Sequence, residues 1–231
     1  MPHISYSELK IWAECPFKHK LMYIDKIKGF IGNEYTAFGG AIHSLCEHAI
    51  VGNLDEDAYE EYFQHAFREE LKKIEINKPN LVLEMLEQAN KISPEILPAV
   101  EKHFGEYEVV SVEERLFEDI QDFEDEKYNF KGFIDLVLKT SDGKYHVIDW
   151  KSCSWGWDME RKSDRLTTYQ LTLYKKFFCQ KHDIDPNLVE THFALLKRTA
   201  KKNHVELFRV TSGSRKTKNA SDLLLKALSN I

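Results

Sequence analysis

With 231 residues, 42% of them hydrophobic and 30% charged, the chain can bury a substantial core, and it has no apolar run near the length of a membrane-spanning helix. Its start, Met1-Pro2-His3-Ile4-Ser5, lacks the basic and apolar regions of a signal peptide, so an intracellular protein without membrane contact is expected. The net charge of −6 is uneven: residues 106–126 hold ten acidic residues against one arginine, while residues 197–218 hold eight basic residues against Glu206, either a face for a polyanion or an ordinary solvated surface.

Ser5-x-x-Glu8 is a capping-box signature, and the apolar residues after it predict a helix over 5–24, interrupted near Pro16. Gly29, Gly32, Gly39 and Gly40 mark a loop that leads into a helix over 41–51, where Ile42, Leu45, Cys46, Ala49 and Ile50 form an apolar stripe. Residues 54–104 read as helical throughout, with breaks at Pro79 and Pro94. The character then changes. Residues 109–117, 128–138 and 144–152 are β-like, with Ser141-Asp142-Gly143 as the last turn, and they predict an antiparallel meander. A helix over 166–181, strands over 189–196 and 205–210, and a helix over 220–228 complete the chain. This order predicts one α/β domain over residues 1–231, a mixed β-sheet flanked by helices, with 54–104 as a helical insertion.

Two acids stand inside the β-like runs, Asp135 in Gly132-Phe133-Ile134-Asp135 and Asp149 in Asp149-Trp150-Lys151. A charge among apolar residues is costly unless it is paired or bound to metal. Side chains alternate along a strand, so Asp149 and Lys151 share a face while Trp150 points the other way. Two carboxylates converging at a sheet edge, with an ammonium beside them, are the residue types that hydrolysis of phosphodiesters by a divalent ion requires. For the tripeptide alone, an ordinary ion pair between Asp149 and Lys151, with Asp135 capping a strand end, is the simpler reading, and Gly132-x-x-Asp135 on the neighbouring strand adds weight to the metal site. Glu113 and Glu114 are adjacent on the preceding β-like run, so they point to opposite faces and only one of them can face the same site. Trp155 and Trp157 follow directly, either to stack on unpaired bases or to plug the loop.

These motifs together resemble the RecB-like nuclease clade of the PD-(D/E)XK superfamily. The likeness rests on Ser5-Tyr6-Ser7-Glu8-Leu9 with Cys15-Pro16, Gly40-Ala41-Ile42-His43, Gly132-x-x-Asp135, Asp149-x-Lys151 and Gln170-x-x-x-Tyr174, in order over about three quarters of the chain. It implies a restriction-endonuclease-like fold, His43, Asp135 and Asp149 as metal ligands with the backbone carbonyl of Trp150, and Lys151 beside the attacked phosphate. It also implies that Gln170 and Tyr174 contact substrate or support the site, while Glu47 is either close to the ligands or solvent-facing. Members of this clade in CRISPR adaptation hold a [4Fe–4S] cluster with the Cys-Pro cysteine and three more near the C-terminus. Here the cysteines lie at 15, 46, 153 and 179, so no iron–sulfur cluster is expected and Cys15 is expected in the core. The implied activity is a Mg²⁺- or Mn²⁺-dependent deoxyribonuclease, an exonuclease favouring single-stranded DNA with free ends, because inserts such as 54–104 arch over the site in similar proteins. A binding or assembly module that has lost catalysis, and a nuclease directed at RNA, are the alternatives.

Overall fold

The computed structural model describes every residue except Met1, Lys28, Phe30, Asp122 and residues 124–126, so part of the acidic run lies outside the described residues. In chain order, β1 (His3–Ser5) leads into α1 (Tyr6–Glu14), α2 (Pro16–His19) and a π-helical turn over Lys20–Ile24. Then come α3 (Glu34–Ile50), α4 (Tyr59–Leu71), α5 (Pro79–Ile92) and α6 (Ile96–Phe104). The strands β2 (Tyr107–Asp119), β3 (Asn129–Thr140) and β4 (Tyr145–Cys153) follow, then α7 (Met159–Ser163) and α8 (Arg165–His182). Strands β5 (Val189–Lys197) and β6 (Val205–Val210) and helix α9 (Ser214–Leu228) end the chain.

The local chemistry accounts for most of these boundaries. Ser5 accepts from the Glu8 amide and caps α1, but the Glu8 carboxylate turns to the buried His19 at 3.0 Å instead of closing a capping box. Pro79 opens α5 at a position where its missing N–H costs nothing. Helix α3 corrects the predicted loop: it begins at Glu34, not at 41, because Asn33 and Thr36 form a reciprocal capping box and the helix runs through Gly39 and Gly40. Both glycines sit at close approaches. A Cβ on Gly39 would lie 3.4 Å from Ser152 Oγ, and one on Gly40 would lie 3.2 Å from the Glu70 side chain.

Six strands form one mixed sheet. Strand β2 runs antiparallel along β3 from Asn129 to Thr140, so β1 and β4 must share the opposite edge of β3, β1 at residues 129–131 and β4 at residues 136–139. Between them, residues 132–135 lie past the end of either pairing. Strand β4 continues beside β5, parallel to it, as far as Cys153. The two strands therefore part at Leu136 and Ile148 and leave a fork in the middle of the sheet. The acids were expected at a sheet edge; the fork supplies the same access from an interior position.

One face of the sheet packs on α1, α8 and α9 through Phe130, Phe177, Phe193 and Leu224. The other packs on α3 to α6 through Phe38, Phe63, Met85, Ile148 and Trp150. Each such fully buried side chain contributes on the order of 1.5–3 kcal/mol. Helices α4 and α5 are thus a packed layer against α3 and not a free arch. Cys15, expected in the core, is exposed: it caps α2, its thiol accepting from the Lys18 amide.

Candidate active site

The fork brings together residues from both faces. Asp135, at the last unpaired position of β3, accepts the Trp150 amide N–H at 2.7 Å and so ties the two diverging strands. On β4, Trp150 is fully buried against the α3 layer, while alternation turns Asp149 and Lys151 the other way. Lys151 Nζ stands 2.5 Å from Asp149 Oδ2 and forms an ion pair with this buried oxygen, which has no further hydrogen-bond partner among the described residues. From α3, His43 Nδ1 lies 3.7 Å from Asp135 Oδ2.

Burial sets the electrostatics here. It pushes the Asp135 and Asp149 carboxyls up to about 6, against the pull of Lys151, and each acid is raised further by a neighbouring carboxylate. It also lowers the His43 imidazole to about 4, which leaves a neutral ring at ordinary pH. Glu47, one turn along α3 from His43, is pushed up to about 8 by burial and then by Glu113, with which it shares a hydrogen bond. This answers the choice between the paired glutamates. Glu113 adopts a left-handed backbone (φ 47°), which turns it toward Glu47, while Glu114 binds Lys181 and His182 behind the strand. No residue pattern could separate the two, because the decision lies in one backbone angle.

Helix α8 supplies the expected pair. Gln170 Nε2 donates to Tyr174 Oη at 3.2 Å, and Tyr174 is buried close enough to feel the charges of Asp149 and Asp135. A Cβ on Gly132 would lie 2.9 Å from Tyr174 Cε1, so the glycine of Gly-x-x-Asp makes room for the tyrosine of the α8 motif. Tyr6, from the first motif, is buried beside them with its hydroxyl unpartnered.

Two clefts meet at Tyr6 and Ser7. One, of about 430 Å³, is lined by Lys10, Lys151, Trp157, Arg161 and Gln170; the other, of about 370 Å³, by Tyr23, Lys131, Phe133 and Tyr174. A larger cavity of about 640 Å³ lies away from the fork, between α8, β6 and the start of α9, and holds none of these residues. The two tryptophans divide: Trp157 is buried against Phe193 and Phe208 under Arg161, and Trp155 is 77% exposed. Of the basic stretch 197–218, Lys197 and Arg198 are buried, whereas Lys201, Lys202, Arg209, Arg215 and Lys218 are exposed. Lys197 pairs with Glu206, Arg209 with Glu190, Lys218 with Asp222, and Arg198 is buried over Tyr35.

Among the described residues, a group of three histidine or carboxylate donors that all lie within 4.8 Å of one another is formed by His146, Glu190 and His192, and not at the fork. No helix among them is long and apolar enough to cross a membrane.

The family model of the PD-(D/E)XK nuclease superfamily matches residues 3–228. Among solved structures, a "Putative exonuclease" from Eubacterium rectale superposes with a TM-score of 0.61 at 13% identity, over 99% of this chain and 79% of that chain. At that identity the likeness shows the fold. A second structure, SSO0001, reaches a TM-score of 0.41 at 13% identity over 95% of this chain and 86% of that chain, too low to carry an argument. No curated protein matches the sequence. The mixed sheet flanked by helices is the restriction-endonuclease-like architecture, and with the family match spanning nearly its whole length the chain belongs to the PD-(D/E)XK nuclease superfamily.

Proposed function

We propose that this nuclease hydrolyses DNA phosphodiester bonds with Mg²⁺ or Mn²⁺, acting from free ends with a preference for single strands, as a member of the RecB-like clade. The observation that supports this most is the fork, where the Asp135 and Asp149 carboxyls, both shielded from water, converge with the His43 imidazole and have the Lys151 ammonium beside them. Two carboxyls whose charge is disfavoured by burial, beside a neutral imidazole, fit a hard divalent cation. His43, Asp135 and Asp149 would hold it with the Trp150 carbonyl, and Glu113 and Glu47 would stand behind them. Such an ion supplies Lewis-acid polarisation of the phosphate and a water acidic enough to attack at neutral pH.

The protein's own groups do the rest. Lys151, held beside Asp149, faces the developing negative charge on the attacked phosphate. Asp135 fixes the strand geometry through the Trp150 amide. Gln170 orients the Tyr174 hydroxyl at the fork. The cleft beside Lys151 adds Lys10 and Arg161 for the phosphate backbone, and the exposed Trp155 offers a ring to unpaired bases, which supports the single-strand preference.

A single assay on end-labelled linear single strands, duplex, circular single strands and matched RNA tests each part. Divalent-dependent shortening of linear single-stranded DNA, with circles and RNA spared, is expected. Absence of divalent-dependent cleavage on any substrate overturns the nuclease centre. Cutting of circles overturns the need for ends, and preferential RNA cleavage overturns the substrate.

A further inference from the structure

We propose a second metal site, separate from the fork, in which His146, His192 and Glu190 bind a transition-metal ion of the Zn²⁺ class. The three residues project from the opposite face of the sheet, at the start of β4 and β5, where the parallel register sets His146 beside Glu190. Three donor atoms converge: His146 Nδ1 and His192 Nε2 are 3.1 Å apart, and Glu190 Oε2 lies 3.9 Å and 4.0 Å from them. Donors around tetrahedral zinc, with bonds of about 2.0–2.1 Å, are about 3.3 Å apart, so the glutamate closes the set by moving about 0.6–0.7 Å. Two imidazoles and a carboxylate, with a water in the fourth position, form an established zinc donor set, and imidazole selects this class over Mg²⁺.

The surroundings aim these donors. Glu190 Oε1 is held by Arg209 at 3.2 Å and Lys144 at 3.4 Å, which leaves Oε2 toward the histidines. Thr140 Oγ1 donates to Asp142 and therefore accepts from His146 Nε2 at 3.0 Å, so the His146 proton sits on Nε2 and its Nδ1 is bare. The far nitrogen of His192, Nδ1, meets His103 Nε2 at 3.3 Å. Without an ion, the His192 Nε2 proton bridges to His146 Nδ1. Binding displaces that proton without loss: His192 moves its proton from Nε2 to Nδ1, donates to His103 and turns its bare Nε2 to the ion, while the exposed His103 ring moves its own proton from Nε2 to Nδ1 through solvent. Outer partners of this kind orient and strengthen ligands. The Phe104 ring covers the cluster, 4.7 Å from His146 and 5.0 Å from His192 between centroids. An ion there fastens the end of α6 and the β3–β4 turn to the centre of the sheet.

The test is titration of the chelator-stripped full chain with Zn²⁺ by calorimetry, and with Co²⁺ by visible absorption, in an Asp135→Asn background that silences the fork. One equivalent of Zn²⁺ and an intense tetrahedral Co²⁺ band are expected. Glu190→Gln should remove the equivalent, and Thr140→Val should lower the affinity by roughly 10–100-fold. Absence of both the equivalent and the band, or a Glu190→Gln protein that binds as the parent does, overturns the proposal. Circular dichroism of each variant against the Asp135→Asn protein separates loss of the site from loss of the fold, and the Co²⁺ band of the Asp135→Asn protein itself decides whether the site exists.

Discussion

Strand β4 carries two polar clusters, about 10 Å apart along the strand and on opposite faces, and they are satisfied to different degrees. At the histidine end, both ring nitrogens of His146 and of His192 are engaged, and Glu190 is held by Arg209 and Lys144. At the fork, Asp149 Oδ2 is buried with Lys151 as its polar partner, and Glu47 and Glu113 crowd one another. Buried polar groups that satisfy each other support the unloaded fold, whereas groups left short of partners cost stability until a ligand arrives. A cation at the fork therefore fills a deficit. A cation at the histidines exchanges with a hydrogen bond.

Four changes break or sharpen this contrast. Trp150→Ala removes the fully buried ring between the clusters and should cost about 3–5 kcal/mol in urea unfolding, disturbing both ends together. Lys151→Met deprives Asp149 of its ammonium, and cleavage at saturating Mg²⁺ should fall by roughly 10²–10³-fold with the fold intact by circular dichroism. Gly132→Ala drives a methyl into Tyr174 and should cost about 1–3 kcal/mol in the same unfolding experiment, with cleavage reduced beyond what the lost stability explains.

The fourth is a contrast of sign in chelator. Asp149 titrates at about 6 in the fold against 3.8 free, so it binds more protons folded than unfolded between these values, and stability falls as pH rises through them. His192 titrates at about 3 against 6.5 free, so the unfolded chain binds the extra proton, and stability falls as pH drops below 6.5. Melting curves should show Asp149→Asn gaining on the parent at pH 8, and His192→Gln losing less than the parent between pH 7 and pH 5.

The strands were legible because alternating apolar residues and the Ser141-Asp142-Gly143 turn leave little freedom in register, and β3 and β4 begin and end within two residues of expectation. Strand β1 was not, since three residues carry no period. Gly39 and Gly40 read as loop because their role, close approach to Ser152 and Glu70, is tertiary. The fork residues were legible through their spacing; their seat inside the sheet depends on β1 taking the edge that β4 leaves. The histidine cluster was hidden, because His146 and His192 meet only through the parallel pairing of β4 with β5 across α8.

The most direct test of the central claim, that the fork is the nuclease centre, is cleavage of end-labelled linear single-stranded DNA by the parent and by Asp149→Asn at matched Mg²⁺ or Mn²⁺. Divalent-dependent shortening by the parent and a loss of at least about 10³-fold in the variant are expected. Equal cleavage by the two proteins would contradict the claim.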